Sequence, residues 1–347
     1  MLKRHRLSWY TLILLGMMLI GLPACASTAA SAVSPTRPAF SGATRLNVVS
    51  TVAPIVNIIY NIGGDRINLV GIIPEGTDSH TFEPAPSDAV KLSKGDLIFV
   101  NGLDLETPTV KLAQANLKPG AEIVNLGENT LKSDQYVFDF SFPKDKGHPN
   151  PHLWMNPQLA LRYAEIVKDT LARRDPSGAA YYQANYDQFK ARIGELDAAI
   201  VKSIQSIPEK QRKLLTYHDS FAYFAQRYPI TVIGAIQPAD FAEPSAKEVA
   251  DLINQIRAEG VPAIFGSEVF PSKVLEQIGR EAHVRYIDTL RDDELPGQHG
   301  ERIHSYFGLM IEDVTTMVSA LGGDPSPMQT IDPSNIPGPD SSVDQSK

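Results

Sequence analysis

From residue 46 onward, short β-branched runs alternate with longer amphipathic stretches. The runs at 46–52, 67–73, 97–100 and 122–126 read as strands, with helices at 54–62, 87–93 and 107–116 between them. Strands separated by helices at this spacing predict βαβ units and a mostly parallel sheet. The rhythm breaks at 156–207, where two helical stretches meet near Asp175 and Pro176. In the second, Tyr182, Tyr186, Phe189, Ile193, Leu196, Ile200 and Ile204 recur in steps of three and four, the signature of one helix face. Alternation then resumes, with strands at 213–216, 230–235, 263–266 and 284–287. Helices are expected at 219–228, 245–259, 271–281 and 303–321. The expected fold class is α/β: two similar βα lobes, 46–177 and 207–322, with mostly parallel sheets, joined by one long helix, 178–206. Pro, Ser, Asp and Gly dominate 323–347, which reads as a disordered tail. Ligands of such sheets bind beyond the carboxyl ends of the strands, so the cleft between the lobes is the expected site.

The first residues add a destination. Lys3, Arg4 and Arg6 precede an apolar stretch at 9–22, followed by Pro23, Ala24 and Cys25. This is the pattern of a secretory signal peptide, here 1–24. About fourteen apolar residues are too few to span a hydrocarbon core of ~30 Å. Cys25 is the only cysteine, so no disulfide can form within the chain. Leu22-Pro23-Ala24-Cys25 resembles a bacterial lipobox, with Pro23 where Ala, Ser, Thr or Val is usual. The resemblance implies lipidation of Cys25, with 25–45 as a lipidated tether that anchors the protein on the extracytoplasmic side of a membrane (periplasm or cell surface). Ordinary cleavage leaving an idle thiol is the alternative.

Losing the three basic residues of 1–24 takes the net charge from −8 to −11. Such a surface argues against nucleic acid or anionic lipid as a partner.

Chemistry concentrates on histidine. His80 follows the strand at 67–73, His218 follows the strand at 213–216, and Asp288 ends the strand at 284–287. His152 opens a helix. If the lobes face each other, all four can converge. Three imidazoles and one carboxylate satisfy tetrahedral zinc, whereas manganese or iron would use both carboxylate oxygens or further ligands. Such ligands are too far apart in sequence to form a local motif.

The segments around His80, His152 and His218 resemble the signature blocks of the cluster A-I metal-binding lipoproteins. These are solute-binding components of zinc and manganese ABC transporters and include the streptococcal adhesin-type lipoproteins. The first block reads approximately Gly-x-Asp-Pro-His-x-(Tyr/Phe)-Glu-Pro, and here Ser79 replaces its proline. The second, His-x-Trp-(Leu/Met)-(Asp/Asn)-Pro, matches 152–157. His218, Phe221, Phe224 and Tyr228 fit the third, and 101–106 resembles a further family segment. The resemblance spans about 46–322. It implies that His80, His152, His218 and Asp288 are the metal ligands, with Asp292 and Asp293 close by in the chain. It also implies a membrane permease as partner, and a monomeric carrier is expected.

Two departures bear on the metal. The His- and acid-rich loop of many zinc-specific members is absent, since 132–150 holds only His148. Manganese-specific members usually carry Glu where this chain has His218. Zinc is favoured, with manganese or iron as alternatives. Glu83 and Glu268 are expected to orient ligating imidazoles by accepting their free N–H groups, and His148 is a candidate auxiliary contact at the cleft mouth. His283, His299 and His304 are read as surface or packing residues. A zinc hydrolase is the rival class, but no His-Glu-x-x-His segment is present and four protein ligands leave no position for water. A role in cell adhesion has no separate support in the residues. Because imidazoles bind metal when neutral, affinity is expected to fall below about pH 6.5.

Overall fold

The structure is a computed structural model and describes residues 45–237, 244–269, 272–340 and 342–345. The expected signal peptide, Cys25 and the expected tether as far as residue 44 lie outside the described residues.

The first lobe opens with β1 (Leu46–Ser50), α1 (Ala53–Gly63) and β2 (Ile67–Gly71), and continues with α2 (Pro86–Lys94), β3 (Leu97–Val100), α3 (Thr107–Asn116), β4 (Glu122–Asn125) and a short α4 (Leu126–Thr130). Its four strands pair in parallel in the order β2-β1-β3-β4. Every residue of α1 is buried, in keeping with a sequence that is apolar on nearly all sides. Asn57 and Asn61 are the polar exceptions, and both are bonded: Asn57 Oδ1 accepts from Tyr306 N, and Asn61 reaches Asn335.

Two helices follow, α5 (Pro157–Arg174) and α6 (Ala179–Ser206). At 28 residues, α6 is about 42 Å long. All seven apolar residues of its expected stripe are buried. The second lobe contains β5 (Lys213–Thr216), α7 (Ala222–Arg227), β6 (Thr231–Ala235), α8 (Ala246–Glu259), β7 (Ala263–Ser267), α9 (Lys273–Ala282), β8 (Arg285–Leu290) and α10 (Tyr306–Ala320). β5 pairs with β6 and β7 with β8, all in parallel, and β5 runs beside β7. The succession β6-β5-β7-β8 therefore echoes the first sheet, so the two lobes are similar in plan.

Two expectations change. The lobes are not separate bodies on a rod, because one hydrophobic core runs from β1 and α1 through α5, α6 and α10 to Leu214, Phe265 and Leu290. The segment after 322 is not disordered among its described residues. Met328 and Ile331 join the core beside α6, Tyr60 Oη donates to Pro339 O, and Asp344 bridges to Val70 on the edge strand β2. A few apolar residues spaced along a Pro-rich strap, with buried asparagines to meet its backbone, hold it down despite its polar composition.

Candidate metal centre

His80 sits in the loop after β2, in a turn where Asp78 accepts from the backbone N–H of His80 and the hydroxyl of Thr81. His152 precedes a single 3₁₀ turn that leads into α5, and His218 lies two residues beyond β5. These three histidines meet in the cleft. The Nε2 atoms of His80 and His152 are 3.1 Å apart, and those of His218 and His152 are 3.3 Å apart. Nδ1 of His152 lies 3.0 Å from Asn150 Oδ1, whose own amide donates to Asp139 and to the Asp219 carbonyl. Asn150 must therefore present its oxygen, which puts the His152 proton on Nδ1 and leaves the Nε2 lone pair facing the cluster.

Asp288 is not among the groups that converge; its place is taken by Asp292. Oδ2 of Asp292 lies 2.8 Å from His218 Nε2 and 4.0 Å from His152 Nε2. The cause is local. β8 runs three residues past its expected end, and between Ile287 and Leu290 it advances three residues while β7 advances two. That extra residue is a bulge, which reverses the alternation of faces. Asp288 is exposed within this irregular stretch, and the loop beyond the strand delivers Asp292 instead.

Asp292 is held from several sides. Its carbonyl accepts from Trp154 Nε1, so the second signature block reaches across the cleft. Oε1 of Glu268 accepts from the backbone N–H groups of Asp292, Asp293 and Glu294 in a row. Glu268 thus shapes the ligand loop rather than bonding an imidazole. Ser79 donates both its N–H and its hydroxyl to Asp293, at 2.9 Å each, a tie between the lobes that proline could not make at either point. Glu83 is exposed and, among the described residues, bonds to none of the cluster. His148 pairs with Asp104 at 3.0 Å on the rim of a cavity of about 330 Å³ that opens onto His80. Asn150 and Trp154, which position the site, were not singled out from sequence, although both lie within or beside the second block.

The electrostatics divide by lobe. Burial, reinforced by the nearby His218 charge, pushes His80 down to about 3, and burial pushes His152 well below the ordinary histidine value. Burial also works against a charge on His218, but Asp292 outweighs it and holds His218 up at about 9. Asp292 is likewise drawn down by His218 against the effect of its burial. The cleft therefore holds two neutral imidazoles opposite an imidazolium–carboxylate pair.

A family profile described as zinc-uptake complex component A, periplasmic, matches residues 48–320. The chain belongs to this family. The metal ABC transporter substrate-binding lipoprotein ScbA of Streptococcus cristatus is 28% identical over 306 residues, covering 86% of this chain and 94% of the relative. The manganese ABC transporter substrate-binding lipoprotein scaA of Streptococcus gordonii is 29% identical over the same shares. Among solved structures, the periplasmic zinc binding protein TroA of Treponema pallidum superposes with a TM-score of 0.73 at 27% identity, covering 80% of this chain and 99% of that one. Family membership makes the chain a substrate-binding protein of metal ABC transport and not an enzyme. Among the described residues, no helix is long and apolar enough to cross a membrane.

Proposed function

We propose that this protein captures one divalent transition metal ion, with zinc favoured, between His80 and His152 of the first lobe and His218 and Asp292 of the second. It then passes the ion to a membrane permease. The convergence of three imidazole Nε2 atoms and one carboxylate oxygen carries this reading. Zinc–nitrogen bonds of about 2.0–2.1 Å give ligand–ligand edges of about 3.3 Å in a tetrahedron. The His80–His152, His152–His218 and His218–Asp292 separations of 3.1, 3.3 and 2.8 Å lie near that edge, while Asp292 stands 4.0 Å from His152 and would move inward on binding. Three nitrogens to one oxygen suits zinc better than manganese. Manganese remains the second reading because relatives such as scaA are named for it; Asp292 would then bind through both oxygens. The core shared by the two lobes opposes wide hinge opening, which favours release on docking to the permease. Lipidation of Cys25 would keep the carrier, as a monomer, at the outer face of the membrane.

Elemental analysis of protein purified without added metal, followed by zinc–manganese competition, tests the assignment. Zinc retained in the face of excess manganese is the expected result. Protein that takes up neither ion would end the carrier reading.

A further inference from the structure

A second group of metal-ligating side chains lies apart from the cleft site and has no part in it. We infer that Glu75, His299, His304 and Asp340 form a second site for a borderline divalent cation such as zinc, which fastens the C-terminal strap to the loop that carries His80.

Donor atoms of Glu75, His299 and His304 all lie within 4.8 Å of one another. His304 Nε2 is 3.3 Å from Glu75 Oε1 and 3.5 Å from Asp340 Oδ2, and His299 Nδ1 is 3.7 Å from Asp340 Oδ2. These spacings match the edge of about 3.3 Å expected around tetrahedral zinc. His304 is fully buried, and its Nδ1 lies 3.3 Å from the Pro296 carbonyl, an acceptor that requires the proton on that nitrogen. Its Nε2 then presents a lone pair to two carboxylate oxygens. Both Nε2 and Glu75 Oε1 are buried without a hydrogen bond. A cation between His304 Nε2 and Glu75 Oε1 would satisfy both of these buried acceptors at once. Two carboxylates neutralise a divalent ion, and the two imidazoles select a borderline metal over calcium or magnesium.

The ligands come from three segments that are distant in sequence. Glu75 is five residues before His80 in the loop after β2, His299 and His304 precede α10, and Asp340 lies in the strap, where Gly300 N–H steadies its other oxygen. An ion here would close the strap over the edge of the first sheet and restrain the loop of the cleft ligand.

Zinc is counted on the full mature chain after equilibrium dialysis, together with the melting temperature. The parent should hold about two equivalents, and Glu75→Gln/His299→Gln about one. His80→Ala/His218→Ala should keep about one equivalent and still melt higher with zinc. Both replaced residues of the first variant are partly exposed, so loss of folding is not expected, and far-UV circular dichroism checks it. The inference is overturned if the parent holds a single equivalent that His80→Ala/His218→Ala abolishes, or if Glu75→Gln/His299→Gln still holds two. A parent equivalent lost only in Glu75→Gln/His299→Gln would instead sink the carrier reading and leave this site standing.

Discussion

The two lobes share a strand plan but not its execution. In the first, four strands are hydrogen-bonded into one sheet with regular register, and it supplies His80 and His152 as neutral imidazoles. In the second, the strands form two separate pairs, each with a register shift, and it supplies His218 and Asp292 already paired as ions. The difference assigns the work. The first lobe offers lone pairs on a regular frame, and the second offers the charge, beyond β5 and β8, strands whose pairings each carry a register shift. On the proposed ligand set, metal would displace a proton from His218 and none from His80 or His152.

The largest expected effect follows from that asymmetry. Asp292→Asn should weaken zinc binding by on the order of a hundredfold or more, since removing a ligand exceeds the effect of removing its supports. Asp288→Asn should leave affinity within about twofold, as expected of an exposed surface change. Equal losses in competition titrations of the two variants would break the comparison at its main point.

A proton count sharpens it next. His218 is protonated in the metal-free protein below about 9, and metal binds its neutral form, so the proton competes with the ion. Zinc uptake near pH 7.5 should release about one proton per ion, and affinity should rise about tenfold per pH unit until about pH 9. This replaces the expectation of a fall only below about pH 6.5, because His80 resists protonation down to about 3. Calorimetry in buffers of different ionisation enthalpy measures the count. Release of no protons would contradict the paired state of the second lobe.

Smaller effects come from the supports. Asn150→Ala should cost roughly tenfold to a hundredfold, by freeing the His152 tautomer. Burial and the adjacent Asp292 and Asp293 push Glu268 well up, and Glu268→Gln keeps the oxygen that accepts from the backbone of 292–294. That variant should bind nearly as the parent, while Glu268→Ala should lose about tenfold through the slackened loop at 292–294. If Glu268→Gln were as damaging as Glu268→Ala, charge rather than loop geometry would be its contribution.

β3, α3 and β5 fall where periodicity puts them, and the stripe on α6 is buried residue for residue. The three histidines carry family blocks around them, and the structure brings them together. The block of the carboxylate is short, and β8 carries an extra residue relative to β7 just before the loop that brings Asp292 to the cluster. A bulge leaves no mark in a run such as Arg285–Leu290, because hydrophobic alternation is too short there to show a change of face. The strap was unreadable for a related reason: its composition is that of a disordered tail, and its ties run to residues far back in the chain, such as Asn61, which bonds Asn335 and Ile336.

Anomalous diffraction from crystals grown with zinc would locate the ion itself. A peak is expected in the cleft about 2.0–2.2 Å from Nε2 of His80, His152 and His218 and from an oxygen of Asp292. A peak bound instead by Asp288, or a cleft without one while the protein holds zinc elsewhere, would contradict that ligand set.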